Sequence, residues 1–418
     1  MRARERVVIT GLGCVTPLGN DVASTWAGLA AGRNAIGRIE RFDPTGFVTD
    51  FAAEVKGFSH PGLKGRFHRW CDAKARFALA AAEEAVADAG LSGVDPFRFG
   101  VSMGAEVSRP DLPEMAEKVR AFARSTPQEA FRGVDPKDFV VMAAFFPASL
   151  LAMAHDARGP NLTTSTACTS SAQSIADAVR ALRRGDADVM LAGGTDRLVE
   201  ELMVMGFSLL GALSTRAEDP EHACRPFDRT RDGFVLGEGA GVLVLETERH
   251  ARARGARIRA ELLGYGWSAN AWRITDSPPD GRGARASMQA ALKDAGLTPD
   301  DVDYINAHGT STQQNDASES AAIHGTFGDR ARTLPVSSTK SMMGHLVAAC
   351  GAVELIACVK AIEEGLIPPT INHHHRDPAC DLDCVPNEAR AAKVDIALTN
   401  AFGFGGSNGT LIAGRYRP

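Results

Sequence analysis

Apolar positions along this chain follow two patterns, short runs typical of buried strands and spacings of three and four typical of amphipathic helices. The sequence VVITGLG at 7–13 predicts a buried strand that ends in a glycine turn. Within residues 161–194, apolar residues recur at helical spacing up to a stop signal at Gly185, and the strand-like run ADVMLAGG follows. The alternation of strands and helices predicts an α/β fold.

Short phrases recur in the same order in the two halves of the chain. The strand-like phrases VVITGLG and AELLGYG form one pair, and the helix ends AVADAGL and ALKDAGL form a second. The helix ends VRALRRG and VKAIEEG, the strands ADVMLAGG and VDIALTN, and the closing strands GEGAGVLVLE and GGSNGTLIAG continue the series. Their common order predicts two copies of a strand–helix–strand unit that pack as one body.

The two copies define two halves of the chain, residues 1–252 and residues 253–418. Because the first copy is the longer, its additional residues are expected to form insertions. Insertions on a repeated scaffold are candidates for pocket walls and oligomer contacts. The candidate insertions are residues 20–73, 105–160 and 195–234.

One cysteine, Cys168 in STACTSS, stands where a small polar segment meets a predicted helix. Unpaired N–H groups and the positive end of the helix dipole stabilise a thiolate, so we expect the pKa of Cys168 to be lowered. The alternative is a buried and inert cysteine, because free cysteine usually behaves as a small apolar residue.

The repeat places a histidine opposite this cysteine. The helix that follows Cys168 corresponds to the helix that follows His345, so a pseudo-twofold axis would bring the two helix N-termini together. His308 ends the strand-like run DYINAH, where we expect an exposed but rigidly held side chain in the same region. The alternative for each histidine is a structural residue whose hydrogen bonds are satisfied.

Seven motifs are distributed over nearly the whole chain: STACTSS, RPFDRTRDGFVLGEGAG, NAHGTST, SSTKSMMGH, PPTIN, CDLDCVPNEAR and NAFGFGGSNG. Together they resemble the β-ketoacyl-acyl-carrier-protein synthases of the elongating Cys-His-His type, within the thiolase-like superfamily. The chain is most similar to the synthase II type of bacterial fatty-acid synthesis and its relatives in type II polyketide systems. The resemblance implies a thiolase-like α/β fold, with two pseudo-twofold related βαβ-type halves packed in αβαβα layers.

The same resemblance implies roles for individual residues. On the catalytic side it implies that Cys168 is the nucleophile and that His308 and His345 form the histidine pair. It also implies that Lys340 and Glu354 are supporting charges. On the substrate side it implies that Thr310 and Thr312 contact the phosphopantetheine arm and that Phe207 lines the pocket. Phe404 and Gly405 would belong to a gating and oxyanion-hole loop. We expect Lys340 to be a buried cation rather than a solvated one, because it lies among small residues.

The implied reaction is a decarboxylative condensation of a carrier-bound acyl thioester with malonyl-acyl-carrier protein. A cysteine thiolate would hold the acyl group covalently, and two imidazoles would donate hydrogen bonds to the enolate that forms when carbon dioxide leaves. The implied partner is acyl carrier protein, whose phosphopantetheine carries the substrates, and no cofactor or metal is expected. Primary fatty-acid synthesis and a specialised polyketide or polyene pathway both stay open.

Two other functions of this fold differ from the condensation in the cysteines they require. A thiolase acting on coenzyme A thioesters should carry a second active cysteine in the late glycine-rich loop, and FGFGGSNG at 402–409 contains none. A chain-length partner subunit of a heterodimeric ketosynthase should lack the nucleophile, whereas Cys168 is present.

Composition narrows the setting. A net charge of −5 without a basic tail argues against nucleic-acid binding, and eight scattered cysteines indicate the reducing cytoplasm.

The apolar run at 139–154 is shorter than the ~20 residues needed to span a bilayer. We expect it to mediate a homodimer, or a dimer with a related subunit. The loop histidines His373, His374 and His375 lack a second ligand group at a typical spacing, so we expect no metal there.

Several features have two interpretations or depart from the family pattern. A basic cluster is either a docking patch for an acidic carrier or a solvated helix start, and comprises Lys64, Arg66, His68, Arg69, Lys74 and Arg76. Ser171 stands where the relatives have glycine, and is expected to stiffen or narrow the helix start. Residues 104–115 are expected to contribute to the acyl tunnel and the dimer contact. Arg273 either meets a carrier phosphate or is a surface arginine of no special role.

Overall fold

A computed structural model of the chain describes residues 5–62, 70–108, 112–126, 128–129, 132 and 140–418. Its strands are β1 (Val7–Val15), β2 (Gly37–Arg38), β3 (Phe51–Ala52), β4 (Phe99–Ala105), β5 (Asn161–Thr164), β6 (Val189–Arg197), β7 (Glu238–Thr247), β8 (Ala260–Ala269), β9 (Tyr304–Asn306), β10 (Val336–Ser337), β11 (Leu366–Ile367), β12 (Arg390–Ala391), β13 (Ile396–Phe402) and β14 (Ser407–Gly414).

The α-helices alternate with these strands. They are α1 (Val22–Ala30), α2 (Ala73–Asp88), α3 (Leu112–Arg124), α4 (Phe146–His155), α5 (Ser170–Arg184), α6 (Glu201–Leu209), α7 (Glu248–Ala253), α8 (Arg282–Ala295), α9 (Gln313–Phe327), α10 (Lys340–Met343) and α11 (Cys350–Glu364). Among the described helices, none is long and apolar enough to cross a bilayer.

Ten of the described strands form one mixed sheet in the order β10-β9-β13-β14-β8-β1-β7-β6-β4-β5. The order is symmetric about the antiparallel pair β8 and β1. On each side of that pair, antiparallel neighbours come first and parallel neighbours lie at the end of the sheet. The internal repeat predicted from the recurring phrases therefore appears as two copies of one strand arrangement.

Helices α5 and α11 are the corresponding helices of the two copies. Each contacts strands of both copies and the other helix, so the pair forms a layer between the two parts of the sheet. Helix α2 packs on β1 and β7, and α8 packs on β8 and β14, so these helices form outer layers. The arrangement is the layered thiolase-like α/β fold that the resemblance implied.

Glycines in the repeated phrases allow the outer helices to approach the central strands. A Cβ added at Gly13 would lie 1.9 Å from the Ala81 carbonyl oxygen of α2, and one at Gly266 would lie 2.1 Å from the Ser287 carbonyl oxygen of α8. Contacts this short exclude any side chain, so the recurrence of GLG and GYG reflects the same helix-on-strand packing in both copies.

The two inner helices begin and end in the same way. Each is preceded by a 3-10 turn whose first residue has a positive φ, 53° at Ala167 and 45° at Val347. Each ends at a left-handed glycine, Gly185 or Gly365, as the stop signals predicted. Cys168 thus lies in the turn that leads into α5, where the sequence placed it.

The predicted insertions contain elements outside the repeated arrangement. Residues 20–73 include α1, β2 and β3, residues 105–160 include α3 and α4, and residues 195–234 include α6. Of the apolar run at 139–154, residue 139 lies outside the described residues, and the remainder leads into α4, where Leu150 and Leu151 are buried but Phe145 and Met153 are about half exposed.

Candidate active site

Cys168 lies where the first copy's inner helix begins. Its turn, Ala167–Thr169, packs against the loop after β13: a Cβ added at Gly403 would lie 3.3 Å from the Cys168 backbone nitrogen. The backbone N–H groups of Phe404 and of Cys168 itself both favour the thiolate. Both N–H groups therefore lie close to the sulfur, which is where an oxyanion hole for an attacked thioester is expected.

The expectation of a lowered pKa for Cys168 is wrong for the free protein. Burial of the sulfur raises its pKa to about 12, and this effect outweighs the stabilisation of the thiolate by the Lys340 cation and the Phe404 N–H. Sequence reasoning counted the favourable helix terminus but not the desolvation of the sulfur.

His345 is the nearest side-chain partner of the thiol. Its Nε2 lies 3.0 Å from the Cys168 Sγ, and its Nδ1 accepts a hydrogen bond from the Val347 N–H at 3.2 Å. Burial and the neighbouring Lys340 cation hold the His345 pKa well below its usual value, so the ring is neutral. Because Nδ1 is an acceptor, the single ring proton is on Nε2 and points to the sulfur.

His308 lies beside His345, with 5.3 Å between the two ring centroids. Only 2% of His308 is exposed, so the prediction of an exposed side chain at this strand end is wrong. Burial, the Lys340 cation and the adjacent His345 keep the His308 pKa well below its usual value. The potential ligand atoms of Cys168, His308 and His345 lie within 4.8 Å of one another, so one small group of atoms could contact all three.

Lys340 and Glu354 form a buried ion pair behind the histidines. The Lys340 ammonium contacts Glu354 Oε1, and both side chains are almost completely buried. The pKa of Lys340 is raised because the pairing with Glu354 outweighs burial. Lys340 is therefore the buried cation that the sequence predicted, and its positive charge acts on the thiol and on both imidazoles.

A cavity of about 290 Å³ opens onto these side chains. Phe207, Phe234 and Phe404 form an aromatic wall, with ring centroids 5.4 Å apart for Phe207 and Phe234 and 6.2 Å apart for Phe207 and Phe404. Thr310 and Thr312 add hydroxyl groups to the lining, and their hydroxyl oxygens are 3.0 Å apart. A channel with an apolar wall and hydroxyl groups suits an arm that carries an acyl group at its tip.

Three other residues named from the sequence, Gly405, Arg273 and Ser171, do not line the cavity. Among the described residues that line the cavity, Gly403 and Phe404 are present and Gly405 is not; the Gly405 N–H donates to the Ile274 carbonyl at 2.7 Å. Arg273 is exposed and pairs with Asp276 at 3.3 Å. The Ser171 hydroxyl is buried and accepts from the Ala352 N–H at 3.1 Å.

Two residues of the basic cluster, Lys74 and Arg76, belong to the described part of the chain. Lys64, Arg66, His68 and Arg69 lie outside the described residues. Lys74 is 2% exposed and its ammonium donates to the Glu106 carbonyl, while Arg76 donates to the Cys71 and His60 carbonyls. For Lys74 the docking interpretation is therefore wrong, because this cation is buried against a backbone acceptor. For Arg76, which is half-buried, both interpretations stay open.

Two carboxylates at this site were missed by sequence reasoning. Glu319 of α9 accepts from the backbone N–H groups of His308 and Gly309, at 2.9 and 2.8 Å. Glu106 accepts from the turn that carries Cys168. Glu319 gave no signal, because a glutamate in a helix is ordinary, whereas Glu106 lies in the 104–115 segment that departed from the family pattern.

Comparison with known proteins gives the same family throughout. The family model of the beta-ketoacyl synthase N-terminal domain matches residues 4–251, and that of the C-terminal domain matches residues 259–374. A 3-oxoacyl-[acyl-carrier-protein] synthase 2 of Coxiella burnetii is 44% identical over 416 residues, which cover 99% of each chain.

Solved structures agree with this match. A ketosynthase solved with its type II PKS acyl-carrier protein, AntDE with AntF, has a TM-score of 0.89 and 35% identity, over 99% of this chain and 100% of that one. The ishigamide ketosynthase/chain length factor has a TM-score of 0.86 and 37% identity over the same shares. With both domain models matched and the relatives covered from end to end, this chain belongs to the beta-ketoacyl synthase family.

Proposed function

We propose that the protein catalyses the decarboxylative condensation of a carrier-bound acyl thioester with malonyl-acyl-carrier protein, with an acyl group held on Cys168 between two half-reactions. The observation that carries the proposal is the meeting of the Cys168 Sγ, His345 and His308 within 4.8 Å at the end of one cavity. Family membership and the names of the relatives support the same reaction.

In the first half-reaction, the Cys168 sulfur attacks the thioester carbonyl and the carrier thiol leaves. The proton lost by the Cys168 thiol is balanced by the proton that the leaving thiolate gains, so the exchange is neutral overall. The N–H groups of Cys168 and Phe404 stabilise the tetrahedral oxyanion, and the His345 Nε2–H stabilises the sulfur as it becomes anionic. The raised pKa of the free thiol makes these donors necessary, because they act only where negative charge develops.

In the second half-reaction, the malonyl thioester loses carbon dioxide and its thioester oxygen becomes an enolate. Two neutral imidazoles suit this step, because each can donate an N–H hydrogen bond without first losing a proton. The enolate carbon then attacks the acyl-Cys168 carbonyl, the bond from carbon to sulfur breaks, and the β-ketoacyl product stays on the carrier. The Cys168 thiolate that leaves takes up one proton from water, which balances the charge of the lost carboxylate and restores the thiol. Burial keeps both rings neutral, and the Lys340 charge adds to this effect.

The cavity lining supports the other roles. We assign Thr310 and Thr312 to the phosphopantetheine arm and Phe207 and Phe404 to the acyl group, because all four line the cavity, hydroxyl groups suit the amides of the arm, and aromatic rings suit an apolar chain. The loop of Gly405 holds Phe404 in place through the bond to Ile274. Phosphopantetheine on the carrier would then supply the only prosthetic group of the reaction.

We also propose the organisation and setting of the protein. Residues 1–252 supply the nucleophile and residues 253–418 supply the histidine pair, so neither half would be active alone. Acyl carrier protein is the proposed partner, and the second subunit is either a copy of this chain or a related one, as the ketosynthase/chain length factor neighbour suggests. Eight free cysteines are consistent with a reducing cytoplasm.

Intact-mass spectrometry with a panel of acyl carrier thioesters tests the function. We expect the wild-type protein to gain the mass of one acyl group, and Cys168→Ala to gain none. Adding malonyl-acyl-carrier protein should then remove the acyl group from the protein and yield a β-ketoacyl carrier. The same transfer from coenzyme A thioesters, without a requirement for carrier protein, would favour the thiolase-type alternative and contradict the proposal.

A further inference from the structure

The turn that carries Cys168 is held by a single carboxylate from the first copy, Glu106. Its Oε1 accepts from the Ala167 N–H at 2.9 Å and from the Ser170 hydroxyl at 3.2 Å. Its Oε2 accepts from the Ser165 hydroxyl at 2.9 Å. Both oxygens of one side chain are thus engaged by residues on either side of the nucleophile.

This turn needs an external acceptor. Ala167 has a φ of 53°, a left-handed conformation that is unfavourable for a residue with a side chain. Neither the 3-10 turn nor α5 has a side-chain hydrogen bond from its own N-cap residue. Without Glu106, the Ala167 N–H would lose its acceptor in a strained backbone.

In the corresponding turn of the second copy, the acceptor for the strained backbone N–H is a catalytic side chain. Val347 corresponds to Ala167, has a φ of 45°, and donates its N–H to the His345 Nδ1. In one turn, therefore, the acceptor is an imidazole that faces the cavity, and in the other it is the Glu106 carboxylate. Each of the two turns is therefore fixed by a side chain, and the side chain that fixes the first copy's turn carries a negative charge.

Glu106 is itself anchored by a buried cation. The Lys74 ammonium, in the first turn of α2, donates to the Glu106 backbone carbonyl. Gly104, two residues earlier, packs so closely on the start of α5 that an added Cβ would lie 2.4 Å from Ser171 N. The loop after β4 therefore has little freedom, and the Glu106 carboxylate is presented to the turn in one position.

We propose that Glu106 is a positioning residue for Cys168, which fixes the strained turn so that the sulfur meets the His345 Nε2 and the Phe404 N–H, and which places a negative charge beside the nucleophile. The proposal extends the function argued above, since it assigns a role in preparing the same nucleophile. Its charge opposes that of Lys340: Glu106 raises the Cys168 pKa, whereas Lys340 lowers it. The titratable and charged groups that face the thiol are His345, His308, Lys340, Glu106 and Cys350.

The substitution Glu106→Gln tests the charge separately from the shape. Glutamine keeps an oxygen for the Ala167 N–H but removes the negative charge, so the thiolate becomes easier to form. We expect the pH profile of Cys168 alkylation by iodoacetamide to move to lower pH by about one unit, on the scale of one nearby charge at a partly exposed site. We also expect kcat for condensation to fall about tenfold with KM unchanged, because the turn is less well fixed.

Two further variants complete the test. Glu106→Asp keeps the charge but withdraws it by one methylene, so we expect the alkylation profile of the wild type with a lower rate at every pH. Glu117→Gln removes an exposed carboxylate from α3 and should change neither the profile nor the rate.

The alkylation assay uses no substrate, so its outcome is independent of the proposed condensation reaction. The proposal is overturned if the Glu106→Gln profile superimposes on that of the wild type, even where activity or thermal stability has fallen, because a purely structural role would leave the profile in place. Should Glu106→Gln fail to fold, an unchanged alkylation rate in Glu106→Asp overturns the proposal instead.

Discussion

One backbone hydrogen bond, from the Val347 N–H to the His345 Nδ1, determines which ring nitrogen of His345 carries the proton. Because the Val347 N–H occupies the His345 Nδ1, this ring presents a proton at Nε2, and that proton can serve the thiolate in one half-reaction and an enolate in the other. The two half-reactions should therefore be separable by substitution.

Replacing Cys168 by glutamine should abolish acylation but leave decarboxylation of malonyl-acyl-carrier protein active, because the amide fills the place of the sulfur without holding an acyl chain. His345→Ala should still accept an acyl group, more slowly, but should lose decarboxylation by about a hundredfold, the usual contribution of one oxyanion donor. Release of labelled carbon dioxide and the mass of the acyl-enzyme measure the two steps. His374→Ala, at an exposed histidine, is the control. Release of carbon dioxide by His345→Ala at the wild-type rate would show that the assigned role is wrong.

The pH dependence of decarboxylation follows from the neutral imidazoles. Burial and Lys340 lower the pKa of both His308 and His345 well below the usual value, so each ring stays neutral until the pH falls far below the range in which histidine normally titrates. Decarboxylation by Cys168→Gln should therefore be constant between about pH 6 and pH 8, around the ordinary histidine pKa of about 6.5. An inflection near that ordinary value would contradict the assignment.

Lys340 should affect stability and chemistry separately. Lys340→Met leaves Glu354 as an uncompensated buried charge, which should lower the free energy of unfolding by about 3–5 kcal/mol. The double variant Lys340→Met with Glu354→Gln removes both charges and should recover most of the thermal stability, but it should not recover condensation, because the cation that stabilises the Cys168 thiolate is gone. Recovery of activity together with stability would show that the pair is only structural.

At the scale of elements, helix α5 stabilises the N-terminus of α11. The Ser171 hydroxyl in the first turn of α5 accepts from the Ala352 N–H in the first turn of α11, and no part of Ser171 is exposed. The serine noted as a departure from the family pattern is therefore a cap supplied by one helix to the other. It fixes the distance between the helix that follows Cys168 and the helix that follows His345.

Ser171→Ala should lower the free energy of unfolding by about 1–2 kcal/mol, the usual loss for a helix N-terminal N–H without its acceptor. The same substitution at Ser92, an exposed serine after α2, should have little effect. Thermal melting of the three proteins measures the difference. Equal melting temperatures for Ser171→Ala and Ser92→Ala would show that the bond between the helices contributes nothing.

These elements were largely predictable, because their signals are local. The glycine-containing strands, the glycine stops at the ends of α5 and α11, and the apolar spacing of both helices all lie within a few residues, and the repeat supplied the correspondence between Cys168 and His345. Contacts between distant segments were not predictable in this way. Glu106 and Ala167 are 61 residues apart, and nothing local in either segment indicates that they meet.

At the scale of the whole molecule, the predictions from sequence that proved wrong all concern how deeply a group is buried. The raised pKa of Cys168, the buried His308 and the inward-facing Lys74 each depend on how much protein surrounds a group, and this quantity is set by the packing of both copies together. A charge pattern read along the chain treats Lys74 as part of a basic surface, whereas the fold buries it against the loop of Glu106.

The β5 end of the sheet is the expected contact with a second chain. Strand β5 is terminal in the ten-stranded sheet, and three of its four residues are exposed. Near it in sequence, Phe145 and Met153 are 53% and 52% exposed, in the apolar run for which an interface was predicted. Among the described residues, no further strand pairs with β5, and a strand edge of this kind beside apolar side chains favours pairing with a second chain.

We therefore expect a dimer that covers β5 and α4, either of two copies or of this chain with a related subunit. Light scattering of the purified protein at micromolar concentration should give about twice the 44.2 kDa of one chain. Leu162→Arg places a charge on the β5 edge and should shift the mass toward that of a monomer, whereas Val48→Arg, at a residue 62% exposed in the segment before β3, should leave the dimer intact. If the protein alone is monomeric, the homodimer is excluded, and co-purification with a related ketosynthase subunit must then depend on Leu162. A Leu162→Arg protein that keeps the dimer mass would place the interface elsewhere on the molecule.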